Sequence, residues 1–108
     1  MALTIALNEA TEQQNGYRKA TFAVTWDSDY DTSGKTADVS TWFSGSPKLV
    51  GAAPEANGYI AVHDGGTAAA GVLTLAYAFA SSTQPGIPAD STDVSNITTY
   101  VTFVGTAA

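Results

Sequence analysis

Apolar and polar positions alternate with a period of two wherever the pattern is clear, and no window carries an i, i+3, i+4, i+7 stripe. That periodicity predicts strands. Leu3, Ile5 and Leu7 alternate with Thr4, Ala6 and Asn8, which gives a short first strand. Asn15-Gly16 then offers the positive φ angles that a hairpin turn needs. In residues 17–26, Phe22, Val24 and Trp26 share one face while Thr21, Ala23 and Thr25 share the other. A short strand or turn centres on Trp42 and Phe43, and residues 49–53 form a weak strand that stops before Pro54. Asn57-Gly58 is a second turn signal ahead of residues 59–63, where Tyr59, Ala61 and His63 oppose Ile60 and Val62.

The strongest pattern is in residues 71–80, whose large side chains Leu73, Leu75, Tyr77 and Phe79 line one face and must enter the core. Residues 96–104 close the chain as a β-branched strand, with Ile97, Thr99, Val101 and Phe103 opposite Thr98, Tyr100, Thr102 and Val104. Two segments break the pattern. Residues 27–39 begin with a run of turn formers, and residues 81–92 hold Pro85, Gly86 and Pro88, so both are expected as loops. About seven strands separated by Gly, Pro and Asn predict an all-β chain, a two-sheet β-sandwich or jelly-roll-like fold. Without an internal repeat or linker, residues 1–108 are expected to form one domain.

Composition narrows the function. Ten acidic residues against four basic ones give a net charge of −6. Arg18, Lys19, Lys35 and Lys48 are too few for a phosphate-tracking groove, so no nucleic-acid partner is expected. Only 13% of residues are charged, against about 25% in typical soluble domains. Thr, Ser, Gly and Ala take their place, a surface that offers little repulsion to a neighbour. No cysteine is present, which removes disulfides, thiolate metal sites and Cys nucleophiles together. No stretch approaches the roughly 20 apolar residues of a membrane span, and residues 1–4 lack a basic leader. A product made and left unprocessed in the cytoplasm, with no membrane partner, is expected.

Catalytic chemistry has few candidates. His63 is the sole histidine, and there is no G-x-S-x-G elbow, Walker loop or dinucleotide fingerprint. His63 is read as a strand-end residue beside the turn at residues 64–66, and no enzyme activity is expected. Asp27, Asp29 and Asp31 repeat the spacing that opens a calcium loop, and Asp38 falls at its twelfth position. Thr32 stands where that loop wants Gly, however, and Lys35 occupies a ligand position. The expected state is a solvated loop whose Asp and Ser side chains bond their own backbone. No cofactor is expected, with calcium on this triplet as the alternative.

Tyr30, in the acidic loop, and one of Trp42 and Phe43 are the expected aromatic contacts with another subunit. The alternation rule turns one of two adjacent strand residues away from the core. Arg18, Lys35 and Lys48 are the expected cations for charge pairs with a neighbouring protein.

Several stretches together carry a resemblance. Leu3-Thr4-Ile5-Ala6-Leu7-Asn8-Glu9, Asn15-Gly16-Tyr17-Arg18 and Val24-Thr25-Trp26-Asp27-Ser28-Asp29-Tyr30-Asp31-Thr32-Ser33-Gly34 come first. Gly58-Tyr59-Ile60-Ala61-Val62-His63-Asp64, Gly71-Val72-Leu73-Thr74-Leu75-Ala76-Tyr77 and the segment from Asp93 through Asn96-Ile97-Thr98 to Gly105 follow in order. In pattern and order, more than in any single motif, the chain resembles a family of small structural proteins of tailed-bacteriophage virions. The resemblance implies a head decoration, or cement, protein of β-sandwich or jelly-roll fold. Such a protein binds the outer surface of the assembled head and bridges major capsid subunits. The implied partners are the major capsid protein and further copies of the chain, a trimer ahead of a dimer. A tail- or fibre-associated module that binds host-surface glycans is the alternative.

Overall fold

A computed structural model describes residues 3–12, 16–55, 58–77, 88 and 90–108. Seven strands follow in order: β1 (Thr4–Glu12), β2 (Tyr17–Thr25), β3 (Lys35–Thr36), β4 (Lys48–Ala53), β5 (Tyr59–His63), β6 (Val72–Tyr77) and β7 (Thr98–Thr106). They form two antiparallel sheets, one of four strands in the order β1-β2-β7-β4 and one of three in the order β3-β6-β5. The described residues are therefore all-β, seven strands in a two-sheet sandwich.

The inward faces are those the alternation marks. Phe22 and Val24 on β2, Ala61 on β5, Leu73 and Leu75 on β6, and Val101 and Phe103 on β7 are all buried in one cluster with Trp26, Phe43 and Ile97. Edge-to-face contacts join Phe22 to Phe103 at 6.1 Å and Phe22 to Phe43 at 6.3 Å. Thr99 is the one fully buried hydroxyl of β7, and it accepts the indole N–H of Trp26 at 3.0 Å. A polar group placed in the core thus satisfies a second one beside it.

Two expectations about elements are corrected, at β3 and at β1. The third strand is at Lys35–Thr36, inside the expected loop, and pairs with Leu73 and Val72 of β6. Gly34 makes this approach possible. Its φ of +96° favours glycine, and a Cβ there would collide with the Val72 side chain. Of the strand or turn expected at Trp42 and Phe43 the structure has the turn, with both of their N–H groups donating to the Val39 carbonyl, and Phe43 makes an isolated bridge to Ala107. The first strand runs on to Glu12, because β2 supplies partners as far as Arg18. A bulge between Leu7 and Glu9 interrupts its register, and Leu7 is 42% exposed. β1 is an edge strand of the larger sheet.

Gly16 takes φ +78° at the expected hairpin turn between β1 and β2, and bonds between Glu55 and both Gly58 and Tyr59 close the second expected turn, which passes the chain from β4 in one sheet to β5 in the other. Their partners Asn15 and Asn57 lie outside the described residues, as do residues 78–87 and 89 and the Tyr77 side chain.

Candidate interaction surface

The four-stranded sheet has a core face and an opposite face turned outward. Cross-strand register sets the outward side chains in rows. Thr4, Thr25 and Thr98 form one row, and Ala6, Ala23, Tyr100 and Ala53 the next. Then come Glu9, Thr21, Thr102 and Gly51, followed by Thr11, Lys19, Val104 and Lys48. Hydroxyl pairs lock neighbouring strands, Thr21 to Thr102 at 2.9 Å and Thr25 to Thr98 at 3.4 Å. The result is a broad surface of hydroxyls and methyl groups in which Tyr100, 47% exposed, is the large apolar feature near the middle.

At the β4 edge the bulge between Leu49 and Gly51 throws Val50 outward to 59% exposure. An open cleft of about 320 Å³ lies there, lined by Tyr17, Ser44, Ser46, Lys48, Val50 and Val104 among others. Lys48 stands at this cleft with no ion-pair partner among the described residues.

The sequence-marked residues mostly take other places. Tyr30 is 1% exposed, which corrects its expected role as an exposed contact. Its hydroxyl donates to the Leu75 carbonyl at 3.3 Å and accepts the Leu75 N–H at 3.0 Å. β3 is only two residues long, so beyond it the Tyr30 hydroxyl does the work of a strand neighbour for β6. Burial raises the Tyr30 pKa, and the Asp31 and Asp90 charges add to that.

Phe43 is buried too, and Trp42 is half-buried with its ring edge-on to Phe22 at 4.9 Å. Because the chain turns there, the alternation that would have sent one of them outward does not apply. Arg18 donates from Nη1 to the Trp42 carbonyl at 2.7 Å, so it anchors that turn. Lys35 is paired inward with Asp27 at 3.3 Å. Of the cations expected to face a partner, Lys48 is the one set fully on the surface.

Asp27 is a buried member of the acidic loop. Its Oδ1 accepts the Asp29 N–H at 2.9 Å and its Oδ2 faces Lys35. Asp31 turns to its own loop, accepting the Ser33 N–H at 2.9 Å and hydroxyl at 2.6 Å, and those bonds hold its carboxyl below the usual range. Asp38 does the same with Ser40. The three carboxylates at 27, 29 and 31 do not converge, and no group able to hold a metal ion occurs among the described residues.

His63 accepts the Gly65 N–H on Nδ1 at 3.0 Å and lies edge-on to Phe103 with ring centroids 5.0 Å apart. Burial lowers its pKa, and the Asp64 charge opposes that shift. Asp64 Oδ1 accepts the N–H groups of Gly66 and Val72, which fastens the connection between β5 and β6. No helix of the described residues is long and apolar enough to cross a membrane.

Tyr100 was legible as an outward residue from the alternation of β7, although its neighbours on that face were not. The exposure of Val50 and the cleft beside it come from a bulge that periodicity does not reveal. The fold and surface define an all-β sandwich with one broad hydroxyl-rich face. No family model, curated protein or solved structure matches the chain.

Proposed function

We propose that the chain is a non-enzymatic decoration protein that binds the outer surface of an assembled bacteriophage head and stabilises it by bridging major capsid subunits. The observation that carries this reading is the outward face of the four-stranded sheet. Its rows are built mainly of Thr and Ala, with Glu9, Lys19 and Lys48 as their charges, whereas most of the acidic residues lie in loops outside these rows. A face of short, hydroxyl-pinned side chains loses little side-chain entropy on docking. The resemblance in the order of its motifs to small virion proteins is what points to the major capsid protein as the partner.

The mechanism is linkage. A protein that binds only the assembled lattice stabilises it over dissociated subunits, and many copies held by several contacts each multiply a weak affinity. Made in the host cytoplasm, the protein would reside on the outside of the head, separated from packaged DNA by the capsid wall. Its net charge of −6 suits that location.

Co-sedimentation with expanded, undecorated capsids tests the proposal. Saturable binding at micromolar concentration is the expected result, and no binding there refutes it. A glycan array separates the alternative, a host-surface module using Tyr17 or Tyr100 as a stacking platform, because a decoration protein should ignore glycans.

A further inference from the structure

The sandwich leaves its strand edges unequally protected. β3 is two residues long, and β4 and β5 lie against each other across the two sheets, with Lys48 and a bulge on β4 as well. β1 has no such cover. Its one substantial strand neighbour among the described residues is β2, and no residue from Leu3 to Thr11 is buried. Ile5 and Leu7 pair with the buried Val24 and Phe22, yet Ile5 is only half-buried and Leu7 is 42% exposed. Edge strands usually carry a charge or a proline that discourages pairing with another chain. Residues 3–8 carry neither, and the bulge and Glu9 come only after Leu7.

This open edge has a symmetry of its own. Thr4-Ile5-Ala6-Leu7-Asn8 runs polar, aliphatic, Ala, aliphatic, polar, the same in either direction about Ala6. Consider an antiparallel partner of identical sequence, related by a two-fold axis through Ala6 and normal to the sheet. It sets the Ile5 of each copy beside the Leu7 of the other on the core side, and Ala6 beside Ala6 on the outer side. The two Glu9 side chains then stand roughly 20 Å of strand apart, whereas a parallel pairing in register would stack them. A foreign strand needs an open edge but no palindrome, and only self-pairing uses that symmetry. A net charge of −6 opposes contact between copies, and an uncharged stretch is where that opposition is smallest.

We propose that two copies of this chain join edge to edge through residues 4–8 of β1, continuing their four-stranded sheets as one sheet of eight strands. An axis normal to the sheet keeps both outward faces on the same side, so the dimer presents twice the hydroxyl-rich surface in a single layer. The contact gives a dimer, where the resemblance puts a trimer first. The inference goes beyond the decoration reading and does not depend on it, and its tests use the purified protein alone.

So short a contact falls below the roughly 1,200 Å² at which stable interfaces begin, which makes the dimer weak in solution. Sedimentation velocity over a series up to about 1 mM protein should show a monomer–dimer equilibrium. A monomer throughout, or a trimer, overturns the proposal.

Charge placed on the axis is the second test. Ala6 is exposed, so Ala6→Lys and Ala6→Glu should each keep the melting temperature of wild type. Each should weaken association by roughly fivefold or more, because like charges then meet across the pair. Mixing the two variants should restore association as a hetero-dimer, with Lys facing Glu. Undiminished association in the single variants, or no gain on mixing them, refutes a two-fold contact at this edge. Because the chain has no cysteine, Ala6→Cys offers a milder third probe. A short bismaleimide should link it into dimers and leave Val50→Cys, at the exposed β4 edge, unlinked. Equal linkage at the two positions, or none at position 6, counts against the pairing with the same force.

Discussion

Replacing Tyr30 with Phe removes a single oxygen from the core and should cost far more than a typical surface change. The ring would keep its packing against Trp26, whose centroid is 6.0 Å away, so the hydroxyl is what the substitution interrogates. That hydroxyl satisfies both the N–H and the carbonyl of Leu75, a residue with no exposed surface. β3 ends before it can reach them, since its pairing with β6 covers only Leu73 and Val72.

A buried polar group left without a partner costs about 1–3 kcal/mol. With two groups orphaned and some relaxation allowed, the expected loss is about 3 kcal/mol, roughly 13 °C in Tm at the unfolding entropy usual for a chain of this length. Calorimetry and urea unfolding would measure it, with an unchanged m value showing that the same surface is exposed.

A second signature belongs to the same group. The folded-state pKa of Tyr30 is raised above 10.0, so its contribution is fully present below pH 10 and is lost as pH rises through the folded value. The wild type should weaken in that alkaline range by a step that Tyr30→Phe lacks. A Tm within about 2 °C of wild type, or an identical alkaline profile, would show that Leu75 does not depend on the hydroxyl.

Two further predictions concern buried charge and the histidine. Lys35→Met should destabilise by about 3 kcal/mol because it leaves the buried Asp27 carboxylate without its cation, and Asp27→Asn in the same chain should recover part of the loss in urea unfolding; a neutral Lys35→Met would refute the pairing. His63 has its folded pKa below 6.5, so its contribution is present above pH 6.5 and is lost as pH falls through the lowered value. His63→Gln should flatten that part of the stability profile between pH 6.5 and the acid limb, and a curve parallel to wild type would count against it.

Alternation alone was enough to identify the inward faces of β2, β6 and β7, because a period of two assigns each side chain to one side of a strand whatever that strand pairs with. Phe22, Val24, Leu73, Leu75, Val101 and Phe103 follow from it, and so does the outward placement of Tyr100. Composition likewise carried the scarcity of cations and the hydroxyl-rich surface. The candidate contact residues were less legible. Tyr30 sits among aspartates and reads as exposed, yet the loop folds back so that its ring joins the core. Lys35 and Asp27 are eight residues apart with no pattern linking them, and they meet only because Gly34 lets the chain turn onto β6.

By itself, then, the sequence determined that this is a β protein with particular buried faces and a weakly charged, acidic exterior. Which strands neighbour each other was a tertiary decision, as was the pairing of Lys35 into the interior. The same level of structure opened a cleft at the β4 bulge. The physical reason is range. Side-chain alternation is local to each strand, whereas register, bulges and the meeting of distant charges depend on how both sheets close over one core.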